Sequence, residues 1–353
     1  MKVTKLLKYS LAALLVLTTF FGYTRQQSEK KKVIEESYQV SASTLLKLNN
    51  KFGRIEIDSW DKNEFDVRIE IIARGRNEDR SQRILDDIEI DMDESSSMIS
   101  IETLVGRMKN KNNEGFEVNY FISMPEENPL DIKNSFGDVT MGNRQGDLDI
   151  NVSYGSMRVG DVKGTTDLRL SFGSGSINNI GNGDMTIKYS SFNVETAENL
   201  EMTQGFSDVE IDEVKELELE SKYGGVEIEK VHEIEADVHF SSFEIDELTG
   251  KLELESSYIG DFRIKRLANT FTLVDIEGKF GSYEIGLEPG LNANIEAEFS
   301  FADLKSYSDV DVEFHYKVKE SNKSIYRGRI GQGDDSKIIR VDSSYGNLRL
   351  REY

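Results

Sequence analysis

A unit of 17 residues is repeated along this chain. Residues 206–222 read FSDVEIDEVKELELESK, and residues 223–239 read YGGVEIEKVHEIEADVH. Aromatic residues lead successive units 17 or 18 positions apart, at Phe136, Tyr154, Phe172, Tyr189, Phe206, Tyr223, Phe240 and Tyr258. Looser copies begin at Phe52, Phe280, Phe301 and Tyr345. A period this short cannot hold one domain per unit, so each unit buries its apolar side only against its neighbours, as in a solenoid.

Within each unit, apolar and charged residues alternate. Val209 and Ile211 alternate with acids, as do Leu217 and Leu219, and this two-residue period is typical of short strands. Seventeen residues at about 3.3 Å each trace a loop of roughly 56 Å, enough for a small closed coil. The sequence predicts an all-β fold, a parallel β-solenoid of 17–18-residue coils that rises about 4.8 Å per coil and forms a rod about 40 Å long.

Equivalent positions of successive coils form columns along such a rod. We predict that the leading aromatic residues stack inside the solenoid as a ladder, because aliphatic residues flank them; a sugar-stacking surface is the less favoured interpretation. A glycine or serine follows each ring from Phe136 to Phe240, as expected at a tight turn. A second predicted core column is aliphatic throughout: Met141, Val159, Ile177, Val194, Ile211, Ile228 and Ile245.

The regular repeat covers residues 131–305, and other patterns flank it. Residues 25–130 alternate as several strands, with a short helix predicted after Asn77 as its N-cap. Residues 306–353 hold longer strands around the turn KESNKS. An open stack of strands exposes edges at both ends, so we assign 25–130 as a β-rich N-terminal cap domain and 306–353 as C-terminal cap strands.

The first 24 residues have the layout of a secretory signal peptide. Three lysines in MKVTKLLKYS precede the apolar run LAALLVLTTFFG, and small residues alternate in GYT. The run is shorter than the roughly 20 residues of a membrane-spanning helix, which favours cleavage after Thr24 over an uncleaved anchor. We expect an exported protein of the periplasm or outer cell surface, not integral to the membrane after cleavage.

Composition excludes several classes of function. The chain has no cysteine, which removes disulfides, zinc-thiolate sites and thiol nucleophiles. Its formal charge of −22 becomes −25 when the three lysines of the signal peptide are removed. A phosphate backbone would be repelled by such a surface, so no nucleic-acid partner is expected.

No residue is predicted to be catalytic, cofactor-binding or metal-binding. His232, His239 and His315 occupy outward strand positions and match no metal-ligand spacing such as HExxH. The GxG sequences in GSGSIN and IGNGD are interpreted as turns, because neither opens a helix after a buried strand. Trp60 is interpreted as a packing residue.

Acidic residues also form columns, on the outward positions. One comprises Glu195, Asp212, Glu229 and Asp246 beside Glu210, Glu227 and Glu244; the other comprises Glu201, Glu218, Glu235 and Glu253 beside Glu220, Asp237 and Glu255. Carboxylates about 5 Å apart repel by roughly 0.8 kcal/mol per pair in water before screening. The favoured interpretation is a solvated skin that prevents rods from associating; the alternative is weak binding of divalent cations or of a basic partner.

The order of several motifs resembles the bacterial putative-adhesin β-solenoid family. The motifs are NKFGRIEIDSWDKNEFDVRIEI, YFISMPEENPLDIKNSFGDVTM, the repeated FG/YG-x-V-x-I coils, and YRGRIGQGDDSKIIRVDSSYGNLRL. The resemblance spans nearly all of the mature chain. It implies stacked β-coils and an exported, Bacteroidetes-type envelope protein of unknown molecular function, and it supplies no catalytic residues.

Three functions are weighed on this basis. The first is a non-enzymatic envelope or surface protein, an adhesin or scaffold that presents a rigid acidic rod to an unknown envelope protein or glycan. The second is a partner in envelope-stress sensing or signalling that binds a basic protein domain. The third, a polysaccharide-active β-helix enzyme, is disfavoured because such enzymes need a groove with clustered charges, whereas these acids are evenly spread.

Overall fold

A computed structural model of the protein describes residues 28–106, 114–306 and 310–353. The predicted signal peptide lies outside the described residues. Within them the chain forms the helix α1 (Glu78–Asp86) and 26 strands. The strands are β1 Ser28–Gln39, β2 Leu45–Lys51, β3 Ile55–Ser59, β4 Glu64–Gly75, β5 Ile88–Glu94, β6 Met98–Val105, β7 Gly115–Met124, β8 Leu130–Ser135, β9 Val139–Met141, β10 Leu148–Ser153, β11 Ser156–Val159, β12 Val162–Ser171, β13 Ser174–Lys188, β14 Ser191–Gly205, β15 Asp208–Lys222, β16 Gly225–His239, β17 Ser242–Ser257, β18 Phe262–Leu267, β19 Leu273–Lys279, β20 Ser282–Leu287, β21 Ala293–Ser300, β22 Leu304–Ser306, β23 Val312–Lys319, β24 Lys323–Ile330, β25 Ile338–Ser344 and β26 Asn347–Glu352.

The predicted parallel β-solenoid is confirmed. In its regular part, β14, β15 and β16 each run almost from one aromatic residue to the next, and each pairs in parallel with its neighbours at a constant offset of 17 residues. Thus Val209 lies beside Val226 and Leu217 beside Ile234. Because every residue meets its own counterpart one coil away, the inward columns are apolar without interruption.

The core is one continuous apolar cluster that runs from Leu46 to Leu350. The aliphatic column predicted from the sequence lies inside it; Val194, Ile211 and Ile228, for example, are at most 1% exposed. Burying a branched aliphatic side chain contributes about 1.5–3 kcal/mol, so these columns supply most of the drive for coil stacking.

At the N-terminal end, the first coil is separated in sequence from the one on which it stacks. β2 and β3 pair in parallel with β8 and β9, although about 80 residues lie between them. The intervening β6 and β7 pair in parallel on the outer side of β2 and β3, and antiparallel β5, β4 and β1 complete this end. The predicted helix is confirmed as α1, and the Asn77 side chain accepts a hydrogen bond from the backbone N–H of Arg80.

At the C-terminal end, the chain order and the stacking order differ. β25 and β26 form a coil that inserts between the coil of β19 and β20 and the coil of β21 and β22. The antiparallel strands β24 and β23 then cover β21. Antiparallel strands at both ends of the rod leave less parallel edge open to other chains. The division of the chain at residues 130 and 305 stays a prediction.

Candidate functional site

Twelve aromatic rings form a continuous ladder along one corner of the rod, and they lie on its surface. The prediction that they stack inside the solenoid is wrong: their exposed fractions range from 38% at Phe52 to 59% at Phe301. The centroids of neighbouring rings are 4.8–5.1 Å apart, and the interplanar angles are at most 11°. In stacking order this aromatic ladder is Phe52, Phe136, Tyr154, Phe172, Tyr189, Phe206, Tyr223, Phe240, Tyr258, Phe280, Tyr345 and Phe301.

Backbone geometry at the corner turns each ring outward. Period-two alternation from Leu219 through Ser221 would place Tyr223 inward. The prediction of a buried ladder assumed that this alternation continues through the corner, and it does not. Tyr223 instead has φ of 58°, in the left-handed region. A left-handed residue reverses the alternation, so that Gly224 follows the inward path and the ring leaves the core. The glycine is needed there, because a Cβ on Gly224 would lie 1.9 Å from the carbonyl oxygen of Ser207.

This conformation carries a cost that ring stacking offsets. All twelve ladder residues have φ between 51° and 62°, and they are the only non-glycine residues with positive φ in the described part of the chain. A left-handed conformation costs roughly 1–2 kcal/mol per residue, whereas an aromatic pair contributes about 0.5–1.5 kcal/mol. The eleven stacked pairs therefore offset somewhat more than half of the strain. Glycine or asparagine would hold these corners at less cost, and repeated strain of this kind points to function.

The ladder presents ring edges rather than ring faces. Each ring from Phe136 to Tyr345 is covered on both faces by its neighbours, and Phe116 packs edge-on against Phe52 at 5.1 Å. The edges of aromatic rings carry partial positive charge, and the faces partial negative charge. A sugar ring therefore has no free face to stack on along the body of the ladder, and the available surface is a ridge of C–H edges with a hydroxyl at each tyrosine.

Phenylalanine and tyrosine alternate along the stack. The alternation holds from Phe136 to Phe301, including the C-terminal end, where Tyr345 inserts between Phe280 and Phe301. It follows stacking order, since the sequence order at that end is phenylalanine, phenylalanine, tyrosine. Successive tyrosine hydroxyls are consequently two ring steps apart, as from Tyr189 to Tyr223 across steps of 4.9 and 4.8 Å.

Small uncharged residues line both sides of the ladder. The residue before each ring and the residue two after it give 24 flanking positions, of which 15 are Ser, Gly or Asn. The charged members are Lys51, Arg54, Lys188, Lys222, Lys279, Asp138, Asp208 and Asp303. With five basic and three acidic residues, this corner is close to neutral in a chain whose net charge is −22.

Acidic residues are concentrated on the sheet face that leads into the ladder. The predicted column of Glu201, Glu218, Glu235 and Glu253 is in register, and pairing extends it to nine acids. This acidic column comprises Asp131, Asp149, Asp167, Asp184, Glu201, Glu218, Glu235, Glu253 and Asp275. A base closes each end: Lys47 bonds to Asp131, and Arg340 Nη1 lies 2.6 Å from Asp275 Oδ2.

The acidic column borders a shallow groove of about 690 Å³. Partial burial, together with the neighbouring carboxylates of Asp167 and Asp131, raises the pKa of Asp149. Few bases intervene along the column; Arg169 contacts Asp167 at 2.7 Å, and Lys251 contacts Glu253 at 2.9 Å. The groove has the electrostatic character to attract a cation or a basic surface. Among the described residues, no group of three or more His, Asp or Glu side chains is arranged to hold a metal ion.

The remaining residues considered from the sequence form no site together. His232 and His315 point outward, and His239 is half-buried with Nε2 2.7 Å from Asp237. Trp60 donates its indole N–H to the Glu64 carbonyl at 2.8 Å, in keeping with a packing role.

The sequence pattern did not indicate that the ladder rings are exposed, because the glycine or serine that follows each ring also fits a simple turn.

Arg144 is the most deeply buried charged side chain in the described residues. It is 1% exposed, and its Nη2 donates to the Asn128 carbonyl at 2.8 Å, while its Nε and Nη1 lack a protein partner. Burial lowers the pKa of Arg144 to about 10, against the opposing effect of Glu126 and Glu127. Arg144 pairs with Val162 at the end of an aliphatic column, so its role is structural.

Comparison with known proteins identifies a family. The Toastrack DUF4097 profile matches residues 44–351. No curated protein matches the chain. Among solved structures, it is similar to a putative cell adhesion protein from Clostridium sporogenes, with 13% identity, 93% of this chain and 100% of that chain covered, and a TM-score of 0.19. A putative adhesin from Parabacteroides distasonis has 9% identity, coverage of 90% and 97%, and a TM-score of 0.35. A putative lipid binding protein from the same organism has 10% identity, coverage of 91% and 96%, and a TM-score of 0.30.

No helix in the described residues has the length and apolar character needed to cross a membrane.

The family profile spans the first coil at β2, the regular coils and the inserted coil of β25 and β26, so it covers the whole stacked architecture. The chain belongs to the Toastrack DUF4097 family.

Proposed function

We propose that this is a non-enzymatic, exported protein of the cell envelope or surface, an adhesin or scaffold that presents a rigid acidic rod and makes contact through its aromatic ladder. The observation that carries the proposal is the ladder itself. Twelve strained, half-exposed rings contribute little net stability, and an apolar stripe of this length is characteristic of an interaction surface.

Rigidity supports a presenting role. Neighbouring coils are paired along nearly their full length, and one apolar core runs through the stack. A rod built this way holds the rings in a fixed line, so a partner binds without first ordering a loop. Export rests on the predicted signal peptide at residues 1–24.

The chemistry of the described residues supports a non-enzymatic role. Most groups with a raised or lowered pKa are held in surface ion pairs, such as Lys265 with Glu244 and Asp246, or are buried tyrosines such as Tyr120. The exceptions are Arg144, which has a structural role, and Asp149, which belongs to the repeating acidic column. A polysaccharide-cleaving site needs paired carboxylates with different environments, whereas the acids here repeat equivalently from coil to coil.

A second candidate function rests on the acidic column. Nine carboxylates in one column, seven of which line the groove, present a face suited to a basic protein domain, as in an envelope-stress sensor or signalling partner. Such a surface acts mainly through attraction at a distance and is weakened by salt.

Binding of the purified mature protein to envelope preparations from its own source cells tests both functions. The ladder variant carries Phe172→Gly, Phe206→Gly and Phe240→Gly, since glycine accepts the positive φ at these corners. The column variant carries Glu201→Gln, Glu218→Gln and Glu235→Gln. Loss of binding in the ladder variant alone supports adhesion through the rings. Loss in the column variant alone supports the basic-partner function, and unchanged binding in both contradicts the two proposals.

A further inference from the structure

We propose that the aromatic ladder docks a second copy of this chain, with the two ladders packed face to face and antiparallel around a two-fold axis. The inference rests on the proposed function, because it names the partner of the surface assigned there.

The exposed area of the ladder suits a stable dimer. A fully buried aromatic side chain covers about 150–250 Å², so twelve half-exposed rings present on the order of 900–1,500 Å². A standard interface buries about 800 Å² per partner, and the largest apolar patch of a typical monomer is about 300–600 Å². The ladder thus exceeds what a monomer ordinarily exposes and reaches the size that one partner surface needs.

The ring spacing favours a partner of the same period. Successive rings are 4.8–5.1 Å apart because the coils themselves are stacked at that distance. An extended peptide presents same-side residues about 6.8 Å apart, and a polyproline helix repeats at about 9.3 Å, so both lose register within a few rungs. A second copy has the same spacing by construction and can contact every rung.

Full antiparallel overlap places the two-fold axis between Phe206 and Tyr223, the sixth and seventh of the twelve rings. It then pairs a phenylalanine with a tyrosine at every rung except the outermost. The pairs are Phe206 with Tyr223, Tyr189 with Phe240, Phe172 with Tyr258, Tyr154 with Phe280, Phe136 with Tyr345 and Phe52 with Phe301. Each hydroxyl then meets a phenyl edge, and a slip by one rung replaces these pairs with hydroxyl–hydroxyl and phenyl–phenyl pairs. The alternation therefore specifies register.

Charges flanking the ladder agree with the same arrangement. Face-to-face antiparallel packing brings equivalent flanks together, which sets Arg54 of one copy opposite Asp303 of the other. Asp208 then faces Gly225, and Asp138 faces Asn347, so no flanking acid meets another acid. Contact between the acidic columns of two copies, by contrast, would oppose nine carboxylates with nine. Electrostatics thus disfavours that face and leaves the neutral corner open to association.

Light scattering coupled to size-exclusion chromatography tests the proposal on the mature chain. We expect a species of twice the chain mass, and we expect the ladder variant to raise the dimer dissociation constant at least tenfold while keeping its circular dichroism spectrum. The column variant is the matched control and should remain dimeric. A wild-type chain that stays monomeric at all concentrations, or a ladder variant that dimerises as well as wild type, overturns the proposal.

Single cysteines test the register, since the chain has none of its own. Lys222 and Lys279 both precede a ladder ring and are exposed. In the proposed dimer, Lys222 lies about one ring step along the ladder from its copy, whereas Lys279 lies seven steps away, roughly 34 Å at about 4.9 Å per step. The two rows of rings also hold the backbones apart by more than the roughly 7 Å that a direct disulfide allows between Cα atoms, so a short bismaleimide reagent is used to bridge the cysteines. Lys222→Cys should cross-link and Lys279→Cys should not; failure of Lys222→Cys to cross-link, or cross-linking of Lys279→Cys, overturns the arrangement.

The outcomes separate this proposal from the proposed function. A monomeric wild type whose binding to envelopes still depends on the ladder overturns self-association and leaves adhesion standing. A monomer that binds phosphatidylcholine vesicles through the ladder identifies lipid as the occupant and likewise overturns the second copy. A dimer lost in the ladder variant, with envelope binding unchanged, supports self-association and removes the ladder from adhesion.

Discussion

Substitution of Phe206 measures how much the ladder contributes to stability. Deleting a fully buried aromatic side chain costs about 3–5 kcal/mol. Phe206 is 53% exposed, so about half of that range, roughly 1.5–2.5 kcal/mol, is expected for Phe206→Ala. Alanine keeps the strain at φ of 53°, whereas glycine relieves about 1–2 kcal/mol of it. Phe206→Gly should therefore lose only about 0–1 kcal/mol relative to wild type.

Urea unfolding followed by far-ultraviolet circular dichroism compares these variants, with Ile211→Ala as the core control in the same coil. Ile211 is 1% exposed, so its truncation should cost about 2–5 kcal/mol. From most to least stable, the expected order is wild type, Phe206→Gly, Phe206→Ala and Ile211→Ala. If Phe206→Gly is as unstable as Ile211→Ala, the ring is a core element, and the argument that the ladder is kept for contact fails.

Three further predictions concern charge and export. Burial and neighbouring acids raise the folded-state pKa of Asp149, so its ionisation removes stability as the pH rises through that pKa. Asp149→Asn should therefore raise the melting temperature at pH 7, and this gain should vanish in acid, where wild-type Asp149 is protonated. Asp208→Asn, which lies outside the acidic column, is the control. Sodium and calcium chloride at matched ionic strength should raise the melting temperature of the mature chain equally, because we expect the acidic column to act as a screened, solvated skin; an additional calcium-specific rise that the column variant loses would show bound cations instead. Mass spectrometry of the native protein should find an N-terminus near Arg25, whereas a retained initiator methionine with inner-membrane partitioning would show an uncleaved anchor.

The sequence by itself determined the repeating coil and the identity of its buried columns. Seventeen-residue spacing with internal alternation leaves few folds other than a solenoid, because each unit is too small to form a core alone. Residues such as Val209 and Ile211 were placed inward correctly, since strand alternation holds within a straight segment. The concentration of acids on outward positions followed from the same alternation.

Tertiary structure decided what happens where that alternation is interrupted. The left-handed backbone at Tyr223 and its equivalents turns the rings from core to surface, and aromatic residues are rare enough in this conformation that composition gave no signal of it. Pairing of β2 with β8, and insertion of β25 and β26 between earlier coils, depends on contacts between residues far apart in sequence. The same long-range register extends the acidic column from Asp131 to Asp275 and keeps phenylalanine and tyrosine alternating through Tyr345. A local pattern specifies which residues face inward along a strand, but only the stacking of distant coils specifies which side chains meet on the surface.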